Sequence, residues 1–191
     1  QRPDAAAFQA ANPDLDVPDP VQRWGQPDLR SVRAGVNAHY DFSDAVTLYA
    51  FGTAGNGEGV TDFNWRNPAT TSAYNPSTAF PDFDLNDIFP TGFTPQFGQD
   101  DEDYSINGGL RSNGEGPFTY DVSASYGRNE IDYFIYDTIN ASLGPDSPTS
   151  FDPGNLIQSE FNINIGFGYE WDAGVFAGPV NIAWGGVRRE E

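Results

Sequence analysis

Residues 161–171 read Phe161-Asn162-Ile163-Asn164-Ile165-Gly166-Phe167-Gly168-Tyr169-Glu170-Trp171, with an apolar side chain at every second position. Successive side chains of a β-strand point to opposite faces, so this stretch predicts a strand with one apolar face and one polar face. The polar positions hold Asn, Gly and Glu, and the chain has no lysine. Small, hydrated residues on the second face are typical of a strand that separates lipid from a wet barrel lumen.

Five further strand-like runs are present, of which residues 46–54 alternate less regularly, and the set of six falls into three pairs. Short turns join the two runs of each pair, at residues 43–45, 112–117 and 172–178. Long connections without clear periodicity separate the pairs, at residues 55–99 and 136–157. The six runs cover residues 31–42, 46–54, 103–111, 118–135, 159–171 and 180–189.

The alternation of short and long connections predicts an all-β fold. We expect an antiparallel meander of about six strands, forming part of the wall of a large transmembrane β-barrel. Short turns should lie at one end and long loops at the other. Residues 1–27 are polar and proline-rich and are predicted to be a loop segment, whereas residues 28–191 should form the partial barrel.

The two faces of the predicted strands have different expected surroundings. Apolar positions should face lipid, and the alternate polar positions should face the lumen. Aromatic residues near strand ends, such as Tyr169 and Trp171, fit an interfacial girdle. On the pattern alone, a soluble β domain remains an open alternative, because aromatic residues also favour soluble sheets. The expected lipid-facing residues are Val36, Ala38, Val122, Ala124, Ile163, Ile165 and Phe167, and the expected lumen-facing residues are Asn37, Ser123, Ser125, Asn162 and Asn164.

Composition excludes several classes of function. A formal net charge of −19 argues against binding a nucleic-acid backbone and against attachment to an anionic bilayer through a basic patch. The absence of cysteine excludes disulfides and thiolate metal sites. No nucleotide-binding, nucleophile-elbow or zinc motif is present, so we predict neither an enzyme nor a cofactor or metal site.

Two polar features have residue types found in functional sites but are not expected to be functional. The run Asp100-Asp101-Glu102-Asp103 offers carboxylates for a hard cation, but it lacks the glycine and the spacing of an EF-hand loop. We expect it to be a solvated loop end that also blocks edge aggregation. His39 falls on a polar face with no nucleophile pattern nearby, and no catalytic role is expected for it.

The long connection at residues 55–99 carries the best candidates for ligand contact, which are Trp65, Arg66, Tyr74 and Phe93. Aromatic rings give a large contact area at low entropic cost, and Arg66 could pair with an anionic group. The alternative is that these aromatic side chains hold the connection together by packing against one another.

An ordered series of short strings resembles the barrel domain of TonB-dependent outer-membrane receptors, particularly the large alphaproteobacterial group. The resemblance covers residues from about Val21 to the end of the chain. The strings are Trp24-Gly25-Gln26-Pro27, Leu48-Tyr49-Ala50-Phe51-Gly52, residues 63–68, Phe89-Pro90-Thr91-Gly92-Phe93, residues 120–130, residues 140–145, residues 147–151, residues 180–185 and Arg188-Arg189-Glu190.

The resemblance implies a bacterial outer-membrane barrel of about 22 strands with a plugged lumen. It implies energised uptake of a scarce nutrient, such as a ferric siderophore, vitamin B12 or a carbohydrate. The expected partners are outer-membrane lipid, the small-molecule nutrient, and TonB through a plug domain that this sequence does not contain. We therefore expect the chain to be an internal fragment of the barrel wall. A soluble secreted all-β binding module, such as a lectin-like sandwich, is the alternative, and a small passive barrel is a third reading.

Overall fold

A computed structural model describes residues 2–114 and 116–191 of the chain. The described residues are mostly β-strand, at 54%, with only 11% in helices, so the fold is all-β as predicted. The six strands are β1 Asp28–Ser43, β2 Val46–Asp62, β3 Gln96–Ser112, β4 Phe118–Tyr136, β5 Phe151–Trp171 and β6 Val180–Glu190.

The strands form one antiparallel sheet in the order β1-β2-β3-β4-β5-β6. Each strand pairs with its neighbours in sequence, and the sheet is open, with β1 and β6 at its edges. Antiparallel neighbours alternate in direction, so the short turns lie at one end of the sheet and the long connections lie at the other. This topology confirms the predicted meander.

The register between β5 and β6 shows that the alternating apolar residues of the two strands lie on the same face of the sheet. Phe167 lies opposite Trp184, and their rings stack with centroids 5.6 Å apart. The Phe118 ring of β4 stacks on Phe167 at 5.9 Å. Aromatic residues from three consecutive strands therefore share one face, as their alternation with Asn, Ser and Gly predicts.

The strands are longer than the sequence pattern predicts, and they extend into both long connections. β2 continues to Asp62, β3 begins at Gln96 and β5 begins at Phe151. The segment Gly55-Asn56-Gly57-Glu58-Gly59 lacks apolar alternation but still pairs, because ladder hydrogen bonds are made by the backbone. The connections between strands accordingly shorten to residues 63–95 and 137–150.

The acidic run at residues 100–103 lies within β3, so the prediction of a loop end is wrong. Asp101 is half-buried, and one of its carboxylate oxygens lies 3.7 Å from the Arg33 guanidinium. The Arg33 side chain passes over Gly55, where an added Cβ would lie 2.8 Å from Arg33 Cγ. The negative charge of Asp101 is thus accommodated within the sheet by its ion pair with Arg33, and Gly55 leaves room for the Arg33 side chain.

The N-terminal segment, which the sequence predicts as loop, contains a helix, α1, at Pro3–Ala11. Proline suits the first position of a helix, where the backbone nitrogen has no hydrogen-bond partner within the helix. The helix also contains five alanines, on both sides of Phe8, and alanine favours helix formation. Short 3-10 helices lie at Ser72–Tyr74, Leu85–Asp87 and Ala141–Asp146. Within the described part of the chain, no helix is both long enough and apolar enough to cross a membrane.

The chain divides into two compact units. The loop unit comprises Gln1–Arg30, Glu58–Asp100 and Asp132–Asn155, and the sheet unit comprises Ser31–Gly57, Asp101–Ile131 and Leu156–Glu191. The buried hydrophobic cluster belongs to the loop unit, and it consists of Ala5, Phe8, Val17, Val21 and Trp65, with Leu15 packed against it.

Candidate functional site: a cleft in the loop unit

Trp65 is the centre of the loop unit's core. Its side chain is 6% exposed and meets the Phe8 ring of α1 edge to face, with centroids 6.0 Å apart. The indole Nε1 donates a hydrogen bond to the carbonyl of Thr91 at 3.2 Å, and the backbone N–H donates to Gln22 Oε1 at 2.8 Å. Gln22 is itself buried, so the N-terminal segment and the 63–95 connection form one packed body.

A short backbone bridge joins the two ends of the 63–95 connection. The Arg66 N–H donates to the Phe93 carbonyl at 2.7 Å, and the Phe93 N–H donates back to the Arg66 carbonyl at 3.4 Å. Gly92 precedes Phe93 with a φ of +80°, a conformation that costs glycine little. A Cβ at this position would lie 2.5 Å from both the Arg66 carbonyl oxygen and Trp65 Nε1.

Replacing Gly92 with alanine should therefore destabilise the loop unit. The left-handed backbone disfavours a side chain, and the overlap with the Arg66 carbonyl requires the bridge to move. We expect Gly92→Ala to lower the unfolding free energy by about 2–3 kcal/mol, measured by hydrogen exchange of the loop-unit amides. Gly25→Ala is the matched control, because Gly25 has a φ of +69° but nothing within 4 Å of its added Cβ. Equal losses at the two positions would contradict the proposed overlap.

Tyr74, at the end of the short helix Ser72–Tyr74, packs beside the bridge between Arg66 and Phe93. Its hydroxyl donates to the Phe89 carbonyl at 2.9 Å, and its ring lies 6.4 Å from that of Phe93. Phe89 and Phe93 are closer still, at 4.6 Å. Burial raises the pKa of the Tyr74 hydroxyl above its ordinary value, and the Asp84 carboxylate raises this pKa further.

The structure brings the predicted ligand residues together, chiefly as packing partners. Arg66, Tyr74 and Phe93 meet at the bridge and its aromatic neighbours, whereas Trp65 packs against α1. Trp65 and Phe93 also line a cleft, but Arg66 and Tyr74 do not. Packing within the connection is thus observed, and ligand contact by these residues stays a prediction.

The cleft has a volume of about 440 Å³, which is within the range of small-molecule sites. Its lining comes from the N-terminal segment, the 63–95 connection and the strand ends nearest to them. One part of the lining is apolar and the other polar. The apolar residues are Pro18, Pro20, Val21, Trp65, Phe89, Gly92 and Phe93, and the polar residues are Arg23, Asp28, Asp62, Thr94, Gln96 and Asp137.

Hydrogen bonds hold much of the polar lining in place. The Arg23 backbone N–H donates to Asp62 Oδ2 at 2.6 Å, and the Thr94 hydroxyl donates to the Val21 carbonyl at 2.5 Å. Gln96 Oε1 accepts a hydrogen bond from the Tyr136 hydroxyl at 2.6 Å. The first two bonds fasten the N-terminal segment to the end of β2 and to Thr94, two residues before β3, so the cleft is largely preformed.

The sequence pattern misses the cleft carboxylates because each is an isolated aspartate in an acidic chain. Asp28 opens β1, Asp62 ends β2 and Asp137 follows β4 directly. These positions meet at the long-loop end of the meander, but the pattern places the end of β2 eight residues too early. With the correct limits of the strands, the sequence would have placed all three aspartates at the same end of the sheet. Asp137 also has a φ of +53°, which is uncommon for a residue other than glycine.

Among residues 2–114 and 116–191, no group of three or more His, Cys, Asp or Glu side chains is arranged to hold a metal ion. The cleft carboxylates share the lining with aromatic and proline side chains. This arrangement suits an organic molecule with both an apolar part and a polar part.

The sheet unit carries a second notable surface, which is an exposed apolar face. Val36 is 66% exposed and Ile165 is 40% exposed, whereas on the opposite face Thr47 is 3% and Ser123 is 8% exposed. That opposite face is held by polar contacts, including Tyr49 Oη to Asp121 Oδ1 at 2.9 Å and Thr53 to Ser105 at 2.9 Å. Polarity is therefore inverted relative to a sheet with an apolar core.

Comparisons with known proteins give no likeness from which a function follows. No family model matches the chain, and neither a curated protein nor a solved structure matches it.

Proposed function

We propose that the chain is part of the barrel wall of a TonB-dependent outer-membrane receptor. In this account, the apolar face of the sheet unit contacts outer-membrane lipid, and the opposite face lines a hydrated lumen. The receptor takes up a scarce nutrient, such as a ferric siderophore, vitamin B12 or a carbohydrate, using energy delivered by TonB through a plug domain. The protein is a transporter and not an enzyme.

The exposed apolar face is the observation that carries this proposal. Large exposed apolar surfaces are rare on monomeric soluble proteins and mark sites of membrane or protein contact. Here the exposed residues recur at every second position over several neighbouring strands, which is the pattern of a lipid-facing barrel wall. The exposed set includes Val32, Val36, Tyr40, Ile106, Val122, Ile165, Tyr169, Ile182 and Trp184.

The meander supports the same proposal. Sequential antiparallel strands with short turns at one end and long loops at the other are how outer-membrane barrels are built. β5 spans 21 residues and β4 spans 19, well beyond the 9–11 residues that cross a bilayer. Strands of this length leave a stretch outside the membrane, where loop residues can bind ligand.

A lectin-like sandwich is less well supported. Such a module would cover the apolar face with a second sheet, so that the two inner faces form a core. The residues that the structure describes form one sheet, and they leave its apolar face exposed. The polar face of such a module would also be exposed to solvent. In this sheet, Thr47 and Ser123 on the polar face are buried.

Cell fractionation of the full-length protein in a Gram-negative host tests the proposal. We expect the protein to sediment with the outer membrane in a density gradient and to resist extraction by high salt and urea. Ile165→Leu, which keeps the apolar surface, should fractionate identically, whereas Ile165→Arg should reduce the outer-membrane yield. Recovery of folded protein in the periplasm or the culture fluid would instead support the soluble binding module.

A further inference from the structure

The lining of the cleft in the loop unit combines two kinds of chemistry. Trp65 and Phe93, which are 6% and 8% exposed, contribute aromatic surface together with Pro18 and Pro20. Three carboxylates, of Asp28, Asp62 and Asp137, contribute negative charge. A volume of about 440 Å³ is ample for a ligand of about ten non-hydrogen atoms. A ligand that fills it would place an apolar body against the rings and a polar group against the carboxylates.

Charge selects among the polar groups that the ligand could carry. The lining holds Asp28, Asp62 and Asp137 against a single arginine, Arg23. The part of the chain that the structure describes shows no ion pair between the Arg23 guanidinium and these carboxylates, and its contact with Asp62 is made by the backbone N–H. Arg23 therefore does not neutralise these carboxylates, and they can pair with a positive charge on a ligand.

Other ligand classes fit less well. An anionic ligand would meet a surplus of negative charge in the cleft and a formal net charge of −19 on the chain. A sugar needs hydrogen-bond donors as well as acceptors. The donors among the polar side chains of the lining are Arg23, Gln96 and Thr94, and the Thr94 hydroxyl already donates to the Val21 carbonyl, so carboxylate acceptors dominate. Aromatic rings and carboxylates together are the groups that recognise organic cations, through cation–π attraction and ion pairing.

We propose that this cleft binds a small organic cation, in which an amine or a similar group is carried on an apolar body. The cationic group pairs with Asp62 and Asp137, and the apolar body packs against Trp65 and Phe93. This inference rests on the proposed function, because it assigns the chemical class of the nutrient, or of the part of it that the loops bind.

A matched series of three probes tests the charge requirement on purified full-length protein in detergent micelles. The probes are phenethylamine, 2-phenylethanol and 3-phenylpropionate, which share a phenyl ring and differ in charge. We expect phenethylamine to bind with a Kd of about 1 mM or tighter by isothermal titration calorimetry. The alcohol and the acid should bind at least about tenfold more weakly. Methyl α-glucoside serves as the carbohydrate probe and should not bind.

Substitutions that remove charge without changing shape locate the site. Asp62→Asn keeps an oxygen that can accept from the Arg23 N–H, and asparagine tolerates the left-handed backbone at Asp137. Each of Asp62→Asn and Asp137→Asn should weaken phenethylamine binding by about five- to tenfold. Asp82→Asn is the control, because Asp82 is an exposed aspartate of the loop unit outside the cleft lining and should leave binding unchanged.

Several results would overturn the assignment. Absence of saturable phenethylamine binding up to about 10 mM would refute it, as would equal or tighter binding of the alcohol, the acid or the glucoside. Unchanged binding in Asp62→Asn and Asp137→Asn would place the cation elsewhere. These measurements need no transport, so they separate the two proposals. A protein recovered in the outer membrane that fails to bind the amine refutes only the cleft assignment, whereas a soluble protein that binds it refutes only the membrane function.

Discussion

An arginine at Ile165 should cost about 2–4 kcal/mol of folding free energy in lipid vesicles, and an arginine at Asn164 should cost much less. The two residues are neighbours in β5 and lie opposite Gly186 and Val187 of β6. They therefore share strand, depth and backbone surroundings and differ in the face that they occupy. Only the residue on the lipid side forces the new charge to leave water.

The measurement is a urea titration of the full-length protein folding into vesicles, with Ile165→Arg compared with Asn164→Arg. Ile165→Leu is the control for altered packing and should change the folding free energy by less than about 1.5 kcal/mol. A larger cost at Asn164 than at Ile165 would reverse the assignment of the faces. Equal costs at the two positions would show that neither face meets lipid.

Truncation of Trp65 to alanine should have the largest effect within the loop unit. Its side chain is 6% exposed, packs against Phe8 and donates one hydrogen bond, from Nε1 to the Thr91 carbonyl, so its removal leaves a large cavity and an unpaired carbonyl. Phe or Trp to Ala changes in cores cost about 3–5 kcal/mol. We expect a loss of that size in the protection of loop-unit amides against hydrogen exchange, with little change in the sheet unit.

Trp24→Ala is the matched control for the Trp65 substitution. Trp24 belongs to the same unit and undergoes the same chemical change, but it is 72% exposed. Its substitution should alter the hydrogen-exchange protection by less than about 0.5 kcal/mol. Similar losses in Trp65→Ala and Trp24→Ala would mean that burial of Trp65 does not hold the loop unit together.

The sequence predicts the sheet well because side-chain alternation and strand pairing have the same physical origin. Ile163, Ile165 and Phe167 recur with a period of two because one face of β5 is apolar, and the paired runs follow from short turns that allow only antiparallel neighbours. The six strands and the short connections between paired strands therefore lie close to the predicted positions. Residue 115 of the predicted turn at 112–117 lies outside the described residues.

The limits of the strands could not be predicted in the same way. Residues 55–62 and 96–103 are glycine-rich or acidic, so no alternation marks them, yet their backbones continue the ladder between β2 and β3. The acidic run at residues 100–103 is stabilised within β3 by a contact from Arg33, which lies 67 positions away from the start of that run. A contact so distant in sequence leaves no local signal.

The candidate site is predicted only in part for a related reason. Trp65 and Phe93 are recognisable as aromatic residues in a long loop, and both line the cleft. Arg23, Asp28 and Asp137 come from three separate segments that only the fold brings together. The sequence pattern does not predict the helix Pro3–Ala11, because five prolines spread over the first 27 residues indicate a loop. The short alanine-rich run after Pro3 is nevertheless a good helix former locally.

Contact of the apolar face with lipid is tested most directly by spin labels along β5. The chain has no cysteine, so single cysteines at positions 162–167 can be labelled with a nitroxide in the full-length protein folded into vesicles, on a cysteine-free background. We expect high collision rates with oxygen, which concentrates in lipid, at positions 163, 165 and 167. We expect high collision rates with a water-soluble nickel chelate at positions 162, 164 and 166. A uniform profile, or nickel collisions concentrated at 163, 165 and 167, would show that the apolar face does not contact lipid.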